Sequence, residues 1–296
     1  MRYFEKWTPN MSYWLGYIWA DGCIRYQKGA YNLRLGIVSS DDYIIFDFLK
    51  EIESHHKVLK TPETISKYRK ASAFTSVAVC GERFVRPLVK IHGVLQNKSY
   101  LDCEFPNVPD RFLPHFVRGY FDGDGSLVKT NQGYCKISII GTKKFLTGLE
   151  KAINKNTGLP VPLLKKSSPS NKIVMVLEWC RREQVLAFLK FIYPKGEYPY
   201  LRRKRSSYEA LLPTLEEHWN NFGIGPRKGQ WRLRLGHDVF VRYFKNKKDA
   251  LIARSKILGN VDFRLKDELK ITKTNAKKIR FRRQFLDRIE NKLAKS

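Results

Sequence analysis

The sequence is short of acidic residues, of paired cysteines and of long apolar runs, and each shortage excludes a class of protein. It has 28 Asp and Glu against 56 Lys and Arg in 296 residues, a formal net charge of +28. An enzyme of small neutral molecules does not need so one-sided a charge. A protein with a polyanionic partner does, and nucleic acid is the first candidate. A membrane surface is the other polyanion, but the chain shows neither a long apolar helix nor a lipidation signal. The five cysteines (Cys23, Cys80, Cys103, Cys135 and Cys180) are odd in number and nowhere spaced C-x-x-C. That pattern fits reduced thiols inside a cell, not a disulfide framework or a zinc site. The opening residues lack the apolar core of a secretory signal. An intracellular location is therefore expected, with the compartment (cytoplasm, nucleoid or organelle) left open. No Ser-His-Asp order stands out, and His55, His56 and His115 read as surface or packing residues.

What the chain does have is core material, at 43% hydrophobic and 13% aromatic residues, and an internal echo. Trp14-Leu15-Gly16-Tyr17-Ile18-Trp19-Ala20-Asp21-Gly22 reads like Val117-Arg118-Gly119-Tyr120-Phe121-Asp122-Gly123-Asp124-Gly125. Each is an apolar, small-residue helix pattern ending in Asp-Gly. Gly16 and Ala20, and then Gly119 and Gly123, are four apart, so each pair lies on one helix face. A glycine inside a helix costs about 1 kcal/mol against alanine. Close backbone approach to another element would offset that. The pattern predicts two helices packed on each other, with Asp21 and Asp124 side by side at their ends.

The elements after each motif also repeat. After Gly22, residues 23–26 and 31–39 read as a hairpin, and Ser40-Asp41-Asp42 caps a helix over 43–53. Residues 64–68 and 73–80 read as a second hairpin around Arg69-Lys70, and a helix follows over 82–91. Pro106 and Pro109 stiffen a linker over 105–109, and the order restarts near Pro114, a residue tolerated in a first turn. Residues 126–130 and 134–140 form a hairpin, and Thr142 caps a helix over 143–154. Residues 163–166 and 172–179 form the next hairpin, before helices over 183–193 and 209–219. From motif aspartate to capping hydroxyl is 19 residues in the first copy (Asp21 to Ser40) and 18 in the second (Asp124 to Thr142). From motif aspartate to a later lysine, Lys98 or Lys204, is 77 and 80. The reading is an α+β fold of two pseudo-twofold αββαββα repeats, residues 1–104 and 105–217, followed by a basic module over 218–296.

The doubled nonapeptide resembles the LAGLIDADG homing endonucleases in their single-chain, double-motif form. Glycine stands third, a small residue seventh, an acid eighth and glycine ninth in both copies. The first copy departs at its sixth position, where Trp19 replaces the usual acid. The resemblance implies Asp21 and Asp124 as catalytic, Mg²⁺-holding carboxylates, with other divalent cations possible, and one basic residue near each scissile phosphate, Lys98 and Lys204. It implies a monomer that cuts both strands of duplex DNA, and two antiparallel sheets lying over the major groove. Outward strand residues that would then reach bases or phosphates are Arg25, Gln27, Lys28, Asn32, Arg34, Lys67 and Arg69 in the first repeat. In the second they are Lys129, Asn131, Gln132, Lys136, Ser138, Lys165, Asn171 and Lys172. Each has a plainer reading as a phosphate contact or a solvated side chain, and a one-residue slip in register would invert the faces.

Residues 218–296 hold 22 Lys and Arg against 7 acids, so +15 of the +28 lies there. Residues 220–226 read as a hinge, 230–236 and 239–244 as two alternating strands, 247–258 as a helix, and 275–295 as a basic amphipathic helix. Strands and helix loosely resemble an APETALA2-type DNA-binding module, with Arg232, Arg234 and Arg242 as DNA contacts. The run Asp122-Gly123-Asp124-Gly125-Ser126 does not continue as a calcium loop, because Leu127 and Gly133 stand where glycine and glutamate are required. Two rivals remain: an RNA-splicing maturase on the same scaffold, with intron RNA as partner, and a non-catalytic DNA-binding regulator. The presence of both motif acids weighs against each.

Overall fold

The computed structural model describes residues 2–27, 29–65, 70–129, 135–159, 162–168, 173–220, 224–235 and 240–259. In chain order the first repeat runs α1 (Pro9–Asp21), β1 (Cys23–Gln27), β2 (Ala30–Val38), α2 (Tyr43–Glu51), β3 (Val58–Thr61), β4 (Thr64–Ile65), β5 (Lys70–Ala71), β6 (Phe74–Cys80) and α3 (Glu82–Lys90). The second runs α4 (Leu113–Asp124), β7 (Gly125–Lys129), β8 (Cys135–Gly141), α5 (Lys143–Thr157), β9 (Lys165–Lys166), β10 (Met175–Trp179), α6 (Arg182–Ile192) and α7 (Arg202–Asn220). Then come β11 (Ile224–Arg227), β12 (Gln230–Leu235), β13 (Phe240–Phe244) and α8 (Lys247–Gly259).

The two repeats share one topology. The first sheet has strand order β1-β2-β6-β3 and the second β7-β8-β10-β9, antiparallel throughout. Alternation sets the faces: Leu33, Leu35 and Ile37 of β2 and Thr75, Val77 and Val79 of β6 are buried, as are Ile137, Ile139, Leu177 and Trp179 in the second sheet. One hydrophobic cluster runs from Phe4 to Leu215 through both repeats. Among the described residues, no helix is long and apolar enough to cross a membrane.

The motif helices are the centre of that cluster. Thr8 Oγ1 accepts the Met11 N–H at 3.0 Å and Pro9 follows it, so α1 starts as its sequence suggests. The Gly22 N–H closes α1 on Ile18 O, and the Gly125 N–H closes α4 on Phe121 O. Between the helices the approach is backbone to backbone. A Cβ on Gly16 would lie 2.0 Å from Phe116 O, and one on Gly119 would lie 1.9 Å from Tyr13 O. One turn on, a Cβ on Gly123 would lie 2.4 Å from the Ala20 Cβ. The four small residues therefore do what their spacing predicts.

Several expected details differ. The outer strand of the first sheet is Val58–Thr61, not residues 64–68; β4 and β5 pair only as a short ribbon beyond it. Neither expected hydroxyl cap closes its helix. Residues Ser39–Asp41 form a 3-10 turn before α2, while the Lys144 N–H of α5 goes to Asp102 Oδ1 at 2.7 Å. The helix expected over 209–219 begins at Arg202, because Leu201, Tyr208, Leu211 and Leu215 supply a continuous buried stripe. The expected hinge over 220–226 contains β11, which turns into β12 through Lys228 and Gly229, both at positive φ. A two-residue loop with that geometry matches strand twist. Strands β12 and β13 and helix α8 lie where expected, with Leu233 and Ala250 buried. The helix expected over 275–295 lies outside the described residues.

Gly16→Ala and Gly119→Ala should each destabilise the protein by about 1–3 kcal/mol in urea unfolding, despite alanine's better helix propensity. Gly225→Ala, where nothing lies within 4 Å of the added carbon, should leave the midpoint unchanged.

Candidate active site

Asp21 is the last residue of α1 and Asp124 the last of α4. The helix crossing brings the two ends together: a Cβ on Gly123 would come 3.0 Å from Asp21 Oδ2. Asp21 is open to solvent and Asp124 half-buried, so the pair faces outward rather than into the core. Both stand at the negative end of a helix, an unfavourable place for a carboxylate. Loss of water to the surrounding protein and the charge of Asp21 push Asp124 up to about 6, against the pull of Lys98. Desolvation raises Asp21 as well, while Lys204 and Lys98 pull it down.

Lys98 and Lys204 occupy matching places. Lys98 Nζ donates to Ala20 O at 3.1 Å and Gly22 O at 2.6 Å. Lys204 Nζ donates to Phe121 O at 2.5 Å, Asp122 O at 2.7 Å and Gly125 O at 2.6 Å. Each ammonium thus neutralises the orphan carbonyls of its own motif helix and sits within electrostatic reach of both aspartates. Burial lowers Lys98 and brings Lys204 down to about 8.

Sequence reasoning passed over Asp122. It is buried, accepts the Tyr13 hydroxyl at 2.9 Å and the Leu201 N–H at 2.8 Å, and is pushed up to about 6 by that burial. Its other oxygen has no partner among the described residues. Leu201 immediately precedes α7, so Asp122 pins the start of the helix that carries Lys204. Next to it, Arg203 Nε meets Asp41 Oδ2 at 2.6 Å, and the Arg202 N–H meets the Tyr43 hydroxyl at 2.5 Å. The second repeat therefore reaches back onto the first. Arg118, also buried, donates to Pro199 O and Ile192 O and approaches His115 Nδ1 at 3.1 Å. At the position matching Asp122, Trp19 instead stacks on Phe145 at 5.1 Å. No local sequence signal marks these partners, because they come from distant segments.

The outward sheet faces hold part of the expected recognition set. Arg25 lies opposite Asn32, and Arg34 lies opposite Cys23 and Ala78, all on the face away from Leu33 and Leu35. Gln27 is exposed at the end of β1. Ser138 lies between Ser126 and Glu178. Lys136 and Lys165 share that face but are tied to Glu178, at 2.8 and 3.2 Å. Lys129 does not share it: the register sets Lys129 opposite buried Cys135, on the core-side parity, and it is exposed only because the strand ends there. In the C-terminal sheet Arg232 lies opposite Tyr243 and Gly225, and Arg234 opposite Val241. Arg242 pairs with Leu233 in register. Lys28, Lys67, Arg69, Asn131, Gln132, Asn171 and Lys172 lie outside the described residues.

Among the described residues, no three His, Cys, Asp or Glu side chains gather as a ready-made metal cage. The donor chemistry still fits a hard divalent cation, since two carboxylates that disfavour each other's charge meet at one solvent-open point. Water and a phosphate would have to complete the coordination.

No protein-family model matches the chain, and no curated protein does. Solved structures with a similar fold include the meganuclease I-SmaMI bound to uncleaveable DNA with a TTCT central four. It is 13% identical over 72% of this chain and 92% of that one, with a TM-score of 0.48. The LAGLIDADG meganuclease I-AabMI bound to uncleaved DNA is 12% identical over 71% and 92%, with a TM-score of 0.45. A mesophilic variant of the homing endonuclease I-DmoI is 14% identical over 68% and 96%, also at 0.45.

A raised carboxylate pKa means that the native state holds its proton more tightly than the unfolded chain does. Stability contributed this way is full below the unfolded value of 3.8 and is lost as pH rises through about 6. Without metal, Asp124→Asn should therefore stabilise the protein at pH 7 by about 1–2 kcal/mol, allowing for solvent screening. It should also flatten the fall in melting temperature between the two pKa values, as followed by thermal unfolding across that range.

Proposed function

We propose that the chain is a site-specific, double-strand DNA endonuclease of the LAGLIDADG homing type, acting with Mg²⁺. The observation that carries the reading is the meeting of Asp21 and Asp124 at the joined ends of two helices, with a lysine pinned beside each end. Residues 1–104 and 105–217 are the two halves, each serving one strand, and residues 218–296 are an added DNA-binding region.

Asp21 and Asp124 would hold the cation, which when bound supplies charge neutralisation at the phosphate and a more acidic water. The two carboxylates, fixed by a backbone-tight crossing, keep one geometry without reorganising during the reaction. Lys98 and Lys204, already held on carbonyls, add positive charge beside each aspartate. Burial lowers both, and Lys204, brought down to about 8, suits a group that exchanges a proton with solvent near neutral pH. Arg25, Asn32 and Arg34 in the first sheet and Lys136 and Ser138 in the second would meet the major groove, where arginine suits guanine and asparagine suits adenine. The basic three-stranded sheet and α8 support a second DNA contact, in keeping with the APETALA2-type likeness. Arg227, Gln230 and Arg232 lie along one run of that sheet.

Incubated with DNA carrying its gene's uninterrupted insertion locus, the protein should cut both strands with Mg²⁺ and not with EDTA. Asp21→Asn or Asp124→Asn should lower cleavage at least about a hundredfold while binding survives. DNA bound tightly but never cut with any divalent metal would leave a binding protein or a maturase instead. Deleting residues 218–296 should weaken DNA binding and reduce the slope of log affinity against log salt, by about 0.9 for each phosphate contact removed. An unchanged slope would remove DNA contact from that region's role.

A further inference from the structure

Both four-stranded sheets carry an apolar pair on the face away from the core. Val38 and Phe74 lie opposite each other in register, on the alternate face from Ile37 and Thr75, and are 41% and 42% exposed. Ile140 and Val176 lie opposite each other in the second sheet, on the alternate face from Ile139 and Leu177, and Ile140 is 40% exposed. The pairs are not level with one another: by the hairpin registers Ile140 stands level with Asp124, whereas Gly36 stands level with Asp21 and Val38 two residues beyond it. Single exposed apolar residues need no explanation. Cross-strand apolar pairs on the outward faces of both sheets do.

The first pair is also shaped. A Cβ on Gly36 would lie 2.4 Å from Phe74 Cζ, so the ring lies across the strand and residue 36 is glycine beneath it. Leu59, 54% exposed and opposite Ser76 on the same face, extends the apolar surface. The second pair borders the acidic centre. Ile140 O accepts the Tyr120 hydroxyl at 3.0 Å, and Ile140 lines a cavity of about 180 Å³ together with Asp124 and Lys98. Arg34 and Lys136 stand on the same outward faces. An apolar spot on a face that also carries a basic side chain suits a polyanion that bears an isolated apolar group. In the major groove that group is the 5-methyl of thymine.

We propose that Val38 with Phe74, and Ile140 with Val176, each seat the methyl group of one thymine, one in each half of the DNA site. The assignment rests on the DNA endonuclease reading and names the bases that two of its contacts select.

The test is a selection with the full-length protein in EDTA, from a random-sequence duplex pool made once with thymine and once with uracil, which lacks only the methyl. Thymine should be enriched at one position in each half of the site. In the uracil pool that enrichment should vanish while other positions keep theirs. Uracil at either position of a selected site should raise Kd about fourfold, the loss of one buried methyl. Val38→Thr and Ile140→Thr keep the branched strand shape, and each should erase one of the two preferences and spare the other. The same profile from both pools, or threonine variants that keep both preferences, would overturn the proposal. A pool in which no sequence is enriched would overturn the DNA reading beneath it.

Discussion

The backbone-tight crossing of α1 and α4 is the constraint on which the rest depends. Gly16 faces the Phe116 carbonyl and Gly119 faces the Tyr13 carbonyl, so the contact is reciprocal. A reciprocal contact fixes both the rotation and the axial shift of the two helices. A sideways slip that relieved one side would tighten the other. Interiors of this density do not deform smoothly, so the helix ends inherit the same precision. Asp21 and Asp124 are the last residues of those ends, and β1 and β7 leave within two residues of them. The acidic centre and both sheet faces are therefore set by one contact.

Electrostatics at that centre are deliberately unfavourable in the free protein. Two carboxylates meet at two helix C-termini, where backbone carbonyls already concentrate negative charge. The lysines answer the carbonyls first. An ammonium has three donors; Lys204 spends all three on Phe121, Asp122 and Gly125, and Lys98 spends two on Ala20 and Gly22. What the lysines do not offset is the loss of water around the aspartates and, after it, their mutual repulsion, as the rise of Asp124 to about 6 records. Charged groups held at so unfavourable a place and open to solvent are the kind of arrangement found at functional sites rather than in cores.

Much of this was legible because the signals were local and repeated. Glycines four apart, Asp-Gly endings and matched spacings to Lys98 and Lys204 need only a helix period and a ruler. What escaped were features made by distant partners. Asp122 looked like an unmatched acid, since its meaning lies in Tyr13 and Leu201, 109 and 79 positions away. The cap at Thr142 failed because a carboxylate, Asp102, arrives from the preceding linker to take the Lys144 N–H, and Ser40 is taken up in the 3-10 turn before α2. Lys129 falls on the core-side parity because a strand's parity is fixed by its neighbour's register, here Cys135. Strand β11 was hidden by Gly225 and Pro226, residues that usually mark a break; at the edge of the small sheet they are tolerated.

The two halves, alike in topology, are not alike in fastening, and a single chain is what permits this. In a dimer of identical repeats the sixth motif position would be one residue on both sides. Here it is Trp19 on one side, stacked on Phe145, and Asp122 on the other, holding the start of α7. Helix α7 has no counterpart in the first repeat, where Lys98 sits in a turn after α3. Through Arg203 and Asp41, and through Arg202 and Tyr43, α7 also ties the second repeat to the first. The buried end of that tie, Asp41, is stabilised by the pairing, and a charge so placed favours one docking arrangement over its neighbours more than it adds net stability. The crossing of α1 and α4 thus supplies a symmetric centre, and the α7 clasp makes the two sides of that centre chemically distinct.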